Sequence, residues 1–254
     1  MFFEFSCRWA AWLALLSGLA SCSVKEDRSD CPCLLTLDLR DIPAWPVYYS
    51  VRSADGLLTE GSAAADTAVV TAVPRKGVEV LALTGAEEGS PAGGGIRIPP
   101  GSECPSAYLF RRRVDSHADA TRVPVSMHKH FCALSLKLDA PPGNGEPYWT
   151  QVRGQVSGLD ADGQPVPGDF SCRLNPGGTV RLPRQAPSDA LWLDVMLQDQ
   201  TLRSFSLGTH LLDAGYDWTA PDLEDLTLEI RLSVSLLQLQ INAWSATIPL
   251  KIEI

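Results

Sequence analysis

The chain has 254 residues, with 21 Lys and Arg against 30 Asp and Glu and a formal net charge of −9. Such acidity argues against nucleic-acid binding, which needs basic patches, and the single basic cluster, Arg111-Arg112-Arg113, reads as a solvated strand face or edge. Gly (20) and Pro (19) are abundant and helix-forming blocks are scarce, so the composition predicts many short strands with frequent turns.

Met1 to Ser21 reads as an export signal. Arg8 gives a weak positive start, and Trp9 to Leu16 opens an apolar core of about 10 residues, short of the ~20 that span a bilayer. Glu4 is an unusual acid for such a segment. The alternative, a buried N-terminal helix, lacks any cap for the apolar run. Leu19-Ala20-Ser21-Cys22 fits a bacterial lipoprotein cleavage box, in which small residues precede a cysteine that becomes the new N-terminus and carries acyl chains. Two or more such chains hold a protein to a bilayer stably, at about 0.8 kcal/mol per buried CH2. Residues 22–30 are then a polar, charged tether. Cleavage removes Glu4 and Arg8 together and leaves the net charge unchanged.

Cys31, Cys33, Cys104, Cys132 and Cys172 remain beyond the lipidation cysteine. An odd number cannot all pair, so two bridges and one thiol are the simplest arrangement in an oxidising compartment. Cys31-Pro32-Cys33 is too short for an easy mutual bridge, and the sequence assigns no pairs.

From Cys33 the chain alternates: Cys33, Leu35, Leu37 and Leu39 on one face, Thr36, Asp38 and Arg40 on the other, the period of a half-buried strand. Further strands are predicted at Val47–Arg52, closed by Asp55-Gly56, and at Val69–Val73, Val78–Thr84, Ile96–Ile98 and Ala107–Arg112. A first unit ends near Val125. Phe131–Asp139 repeats the Cys33 pattern with Cys132, Leu134, Leu136 and Leu138 inward, a hint of duplication. Strands follow at Val152–Val156, Asp169–Leu174, Thr179–Leu182 and Leu191–Leu197, with hairpin signals at Asp162-Gly163 and Asn175-Pro176-Gly177-Gly178. Arg203–Leu212 is not assigned, and no helix beyond a turn or two is predicted.

Leu226 to Val234 alternates, and the parity flips at Leu237, Leu239 and Ile241. A bulge or a switch between sheets near Leu236 would reconcile the two halves. Ile248, Leu250, Ile252 and Ile254 resume the alternation after Trp244, and Pro249 marks this last segment as an edge strand. The expected class is all-β: two tandem β-sandwiches over 31–125 and 126–254.

No nucleophile elbow, zincin motif or phosphate-binding glycine loop is present, and the chain is read as a non-enzyme with no cofactor. The pairs Glu87-Glu88 and Glu224-Asp225 read as surface acids. His128, His130 and Cys132 share a strand face and are zinc-ligand types. The favoured reading is that the histidines hydrogen-bond across a domain junction, with no metal. Trp149, Trp192, Trp218 and Trp244 are scattered and read as core plugs rather than a glycan platform.

Three pieces together carry a family resemblance: the cleavage box followed by Cys31-Pro32-Cys33 and an immediate strand; Val73-Pro74-Arg75 ahead of the strand at Val78; and Gly215-Tyr216-Asp217-Trp218 followed by Leu226-Thr227-Leu228-Glu229-Ile230 and Ile241-Asn242-Ala243-Trp244. Their order resembles the FimB/Mfa-type fimbrial anchor lipoproteins of Bacteroides-like bacteria, over nearly the whole mature chain. Lys25, Glu26 and Asp27 resemble the charged signal that routes such lipoproteins to the outer surface.

The resemblance implies two transthyretin-like, Greek-key sandwiches and a place at the base of a fimbria, held to the outer membrane through lipid on Cys22. It implies fimbrial shaft subunits as partners, with no nucleic acid and no small-molecule substrate. Shaft subunits of that family join by strand donation, and anchors keep their own first strand, so they would donate but not accept. The donor candidate here is 244–254, with Trp244, Ile248, Leu250, Ile252 and Ile254; pairing within its own domain is the other option. An alternative function is a surface lipoprotein that binds glycan or host protein.

Overall fold

The computed structural model describes residues 31–44, 46–64, 66–85, 95–139, 148–175, 177–187, 190–197, 200–232, 236–243 and 246–253. The first half contains β1 (Cys33–Asp38), β2 (Val47–Ser53), β3 (Gly56–Ala63), β4 (Ala68–Val73), β5 (Val78–Thr84), β6 (Ile96–Arg97), β7 (Tyr108–Val114) and β8 (Ala120–Pro124). The second contains β9 (His128–Lys129), β10 (Phe131–Asp139), β11 (Tyr148–Leu159), β12 (Pro165–Leu174), β13 (Thr179–Pro183), β14 (Leu191–Leu197) and β15 (Gln200–Ser206). A short helix α1 (Leu207–Asp213) and strands β16 (Leu226–Leu232), β17 (Leu236–Ala243) and β18 (Ala246–Glu253) complete it.

The strands form two β-sandwiches built on one plan. In the first, the sheet β4-β1-β8 faces β3-β2-β5-β7, which β9 extends; in the second, β13-β10-β16 faces β12-β11-β14-β15. β1 lies antiparallel to β4 and parallel to β8, and β10 lies antiparallel to β13 and parallel to β16. Cys33 stands opposite Val73, and Cys132 opposite Leu182, at matching places in the two copies. The shared alternation of β1 and β10 is thus the trace of a duplicated unit. Both strands turn the predicted alternate residues inward: Cys33, Leu35 and Leu37 of β1 and Cys132, Leu134 and Leu136 of β10 are buried.

Each sandwich has its own core, but the second reaches into the first half of the chain. Along β5, Val78, Val80 and Ala82 enter the first core, while Leu81 and Leu83 enter the second. The sheet β3-β2-β5-β7 is therefore a shared middle layer, buried on both faces at β5. Ile96, Ile98, Cys104, Ala107 and Leu109 join the second core as well. β6 pairs antiparallel with β11, Ile96 opposite Leu159 and Arg97 opposite Gly158. Gly158 allows that approach, because a Cβ there would run into the Ile96 carbonyl oxygen.

One sequence reading changes, and two stretches without a predicted element are filled. The parity flip near Leu236 is neither a bulge nor a sheet switch: β16 and β17 form an antiparallel hairpin, with Leu232 opposite Leu237 and Thr227 opposite Asn242. Reversing direction preserves the apolar register, and the intervening sequence 233–235, outside the described residues, contains no Gly, Pro, Asn or Asp. Asp55-Gly56 closes β2 as read, and the turn leads into β3, an edge strand with no sequence prediction that is exposed around Leu57 and Leu58. The unassigned Arg203–Leu212 stretch is divided between β15 and α1.

Candidate contact strands and the junction cleft

The duplicated plan closes each sandwich without β17 and β18. In the second copy these two strands continue the sheet beyond β16, in the order β13-β10-β16-β17-β18; in the first copy the corresponding sheet ends at β8. Alternate residues match across the addition: Leu228, Ile230 and Leu232 of β16 stand opposite Ile241, Leu239 and Leu237 of β17, which stand opposite Ile248, Leu250 and Ile252 of β18. The intervening register holds Thr227, Glu229 and Arg231, then Asn242, Gln240 and Gln238, then Thr247, Pro249 and Lys251. β18 pairs in cis with β17 and is the outermost strand of its sheet, which accommodates Pro249. Trp244 and Ile254 lie outside the described residues, as do Cys22, Lys25, Glu26 and Asp27.

Ahead of β1 the chain is pinned. Arg75 donates from Nε to the Cys31 carbonyl at 2.7 Å and from Nη1 to the His117 carbonyl at 3.3 Å, and pairs with Asp119. The Pro74-Arg75 motif thus holds the chain two residues before β1 starts. β1 itself fills the middle of its sheet from within the chain.

Cys31 is exposed, the other four described cysteines are buried, and all five are thiols in this structure. Cys33 donates to Thr121 Oγ1 at 3.6 Å. Cys104, Cys132 and Cys172 share the second core, and burial pushes each thiol up to about 12.

Where the two sandwiches meet, the histidines pair across the junction. His128 Nδ1 lies 3.1 Å from Asp222 Oδ2, while Asp222 Oδ1 accepts the Lys129 N–H at 2.7 Å. Arg184, buried, donates to His130 Nδ1 at 3.1 Å, to the Ala220 carbonyl at 2.8 Å, to the Pro221 carbonyl at 3.1 Å and to the Trp218 carbonyl. Because Arg184 only donates, His130 is the neutral tautomer with its proton on Nε2. Burial, then the nearby charge of Arg184, lowers His130 to about 4. Among the described residues no group of three or more His, Cys, Asp or Glu is placed to hold a metal.

Arg111, read from sequence as solvated, pairs with both Glu79 on β5 and Asp162 at the β11–β12 turn. It thereby ties the first sandwich to the second. Around this contact lies a cleft of about 500 Å³, bordered by Leu109, His128, Gln164 and Pro187, and a smaller recess of about 180 Å³ behind Arg111 and Asp162. Sequence reasoning missed Arg184, Asp162 and Asp222, whose partners are remote in the chain.

The tryptophans divide. Trp218 is a core residue, in edge contact with Tyr216 at 4.7 Å between ring centroids. Trp149 and Trp192 are only partly buried, and each lies under a guanidinium, Arg173 at 4.7 Å and Arg153 at 5.5 Å. These two are therefore not core plugs, and a guanidinium covers one face of each ring.

No family model matches the chain, and no curated protein matches it. Solved structures do. A Bacteroides thetaiotaomicron protein described as a candidate polysaccharide-binding protein superposes with a TM-score of 0.66 at 10% identity, over 86% of this chain and 98% of that one. The fimbrial anchor protein Mfa2 from Porphyromonas gingivalis gives 0.59 at 11% identity, over 84% and 98%. A fimbrial assembly protein from Parabacteroides distasonis gives 0.51 at 11% identity, over 87% and 98%. The chain shares the two-sandwich fold of these proteins.

Proposed function

We propose that this chain is the lipid-anchored base subunit of a fimbria, a structural protein of the cell surface held to the outer membrane through Cys22. The observation that carries the reading is the β17–β18 hairpin, surplus to a plan that the first sandwich completes without it. An outermost strand with regular apolar alternation is a ready site for β-augmentation, in which main-chain hydrogen bonds give affinity and alternate side chains give register. The cis placement of β1 supports the other half of the reading: the first sandwich offers no vacant strand position for an incoming donor, so a polymer would end here. The shared fold with a fimbrial anchor and a fimbrial assembly protein supports the same assignment.

Two variants test it in cells that carry the fimbrial shaft. Cys22→Ala should move the protein from the membrane fraction to the medium and shed fimbriae with it. Removal of residues 246–254 should leave the protein in the membrane fraction without shaft subunits in a mild detergent extract. Fimbriae that stay attached in the Cys22→Ala strain overturn the anchor; shaft subunits that still co-purify with the shortened chain overturn the contact strand.

A further inference from the structure

Ser50 is fully buried, and its Oγ has no hydrogen-bond partner in the structure. Such orphans are rare in folded proteins, because desolvating a hydroxyl without a partner costs about 1–3 kcal/mol. Its place in the fold is specific. Along β2, Val47 and Val51 enter the first core, so Ser50 stands on the opposite, junction face of the middle layer, beside Leu81 of β5. That face borders the recess of about 180 Å³, together with Arg52, Glu79, Arg111 and Asp162. Arg111 and Asp162 also border the larger cleft of about 500 Å³, within the range of about 300–1,000 Å³ usual for small-ligand sites.

The chemistry of the walls selects a ligand class. Arg52 and Arg111 are balanced by Glu79 and Asp162, so the recess has no net formal charge with which to attract an ion. Arg184, the buried cation of the larger cleft, has its guanidinium committed to His130 and three carbonyls. What remains is a set of donors and acceptors at close quarters, with Leu81, Leu109 and Pro187 supplying apolar surface. A neutral ring that carries several hydroxyls, each able to donate and accept, and that has C–H faces between them meets all of these terms.

We propose that the junction cleft binds a neutral saccharide, with one sugar hydroxyl seated on Ser50 Oγ between Arg111 and Asp162. This goes beyond the fimbrial reading and stands or falls without it. Arg111 and Asp162 line both the recess and the larger cleft, so a sugar in the cleft would reach Ser50 by exchanging the Arg111–Asp162 pair for hydrogen bonds to its own hydroxyls.

The test uses the full-length chain in detergent and the methyl glycosides of glucose, galactose, mannose and N-acetylglucosamine as probes, by saturation-transfer NMR and calorimetric titration. At least one probe should bind saturably, and Ser50→Val should weaken it about tenfold, the worth of one hydrogen bond at a desolvated site. Asp162→Asn should weaken it as well, which keeps the test open if Ser50→Val does not fold. If none of the four probes saturates, or if Ser50→Val binds as the parent does while melting at a higher temperature, the hydroxyl holds only a trapped water and the proposal is overturned. Fimbrial attachment is unaffected in either outcome.

Discussion

Arg184 donates from Nε to His130 Nδ1 at 3.1 Å, a bond that needs that nitrogen unprotonated. Burial is the main obstacle to charging His130, and a protonated ring would also turn an N–H toward the Arg184 guanidinium, with His128 nearby. The ordinary value of 6.5 therefore falls to about 4 in the folded chain. Between these values the unfolded chain takes up a proton that the folded chain refuses. Stability should rise with pH through that window and be lost as pH falls from 6.5 toward 4. His130→Asn retains an acceptor for Arg184 and does not titrate, so it should flatten the slope. Urea midpoints at several pH values, parent against variant, check this.

Gly163 is held by the same ring. Its φ is +74°, and a Cβ at that position would lie 2.5 Å from His130 Cε1. Gly163→Ala should cost about 1–3 kcal/mol from backbone strain and displacement of the ring. A lowered thermal midpoint, with partial relief in a His130→Ala background, is the expected signature. Additive losses in the double variant would remove the contact from the explanation.

Leu83 belongs to the first half of the chain by sequence and to the second core by packing. It is fully buried, so Leu83→Ala should cost about 2–5 kcal/mol. The loss should reach β10 and β14 as well as β5. Native-state hydrogen exchange that loosens only the first sandwich would contradict the shared middle layer.

Asp194 of β14 is buried and bonded to Arg153 (Nη2 to Oδ1, 3.1 Å) and to Ser204 Oγ at 2.6 Å. Burial alone would raise its carboxyl, but Arg153 and Ser204 outweigh that and hold it below the ordinary value. Asp194→Ala should cost about 1–3 kcal/mol, because Ser204 and Arg153 lose their acceptor. Asp194→Asn should recover part of it. Chemical denaturation of the two variants separates the charge from the hydrogen bond.

How much of this was legible in the sequence depended on burial. β1 and β10 announce themselves because each is half-buried, and the period of two follows directly from Cys33-Leu35-Leu37 and Cys132-Leu134-Leu136. β3 does not, because Leu57 and Leu58 are exposed together and no face is buried to impose alternation. β17 was visible as a strand but not as a hairpin, since its turn lacks the usual residues. At the junction, the hydrogen-bonded histidines were legible only as neighbours in sequence: His128 lies on β9, His130 between β9 and β10, and Cys132 on β10, so the three do not share one strand face. Arg184 was not: it acts through carbonyls of residues 218, 220 and 221, and a carbonyl has no sequence signature. Ser50 differs from any strand serine only in what surrounds it.

The position of β1 has a mechanical consequence. Six residue pairs bind it to β4 and five to β8, on opposite sides and along its whole length. A pull on residue 31 runs along the strand axis, so it loads both ladders in shear at once rather than unzipping one bond after another. Arg75, clamped on the Cys31 carbonyl, takes up the first of that force. A body built this way yields to traction last at the end where residue 31 enters it.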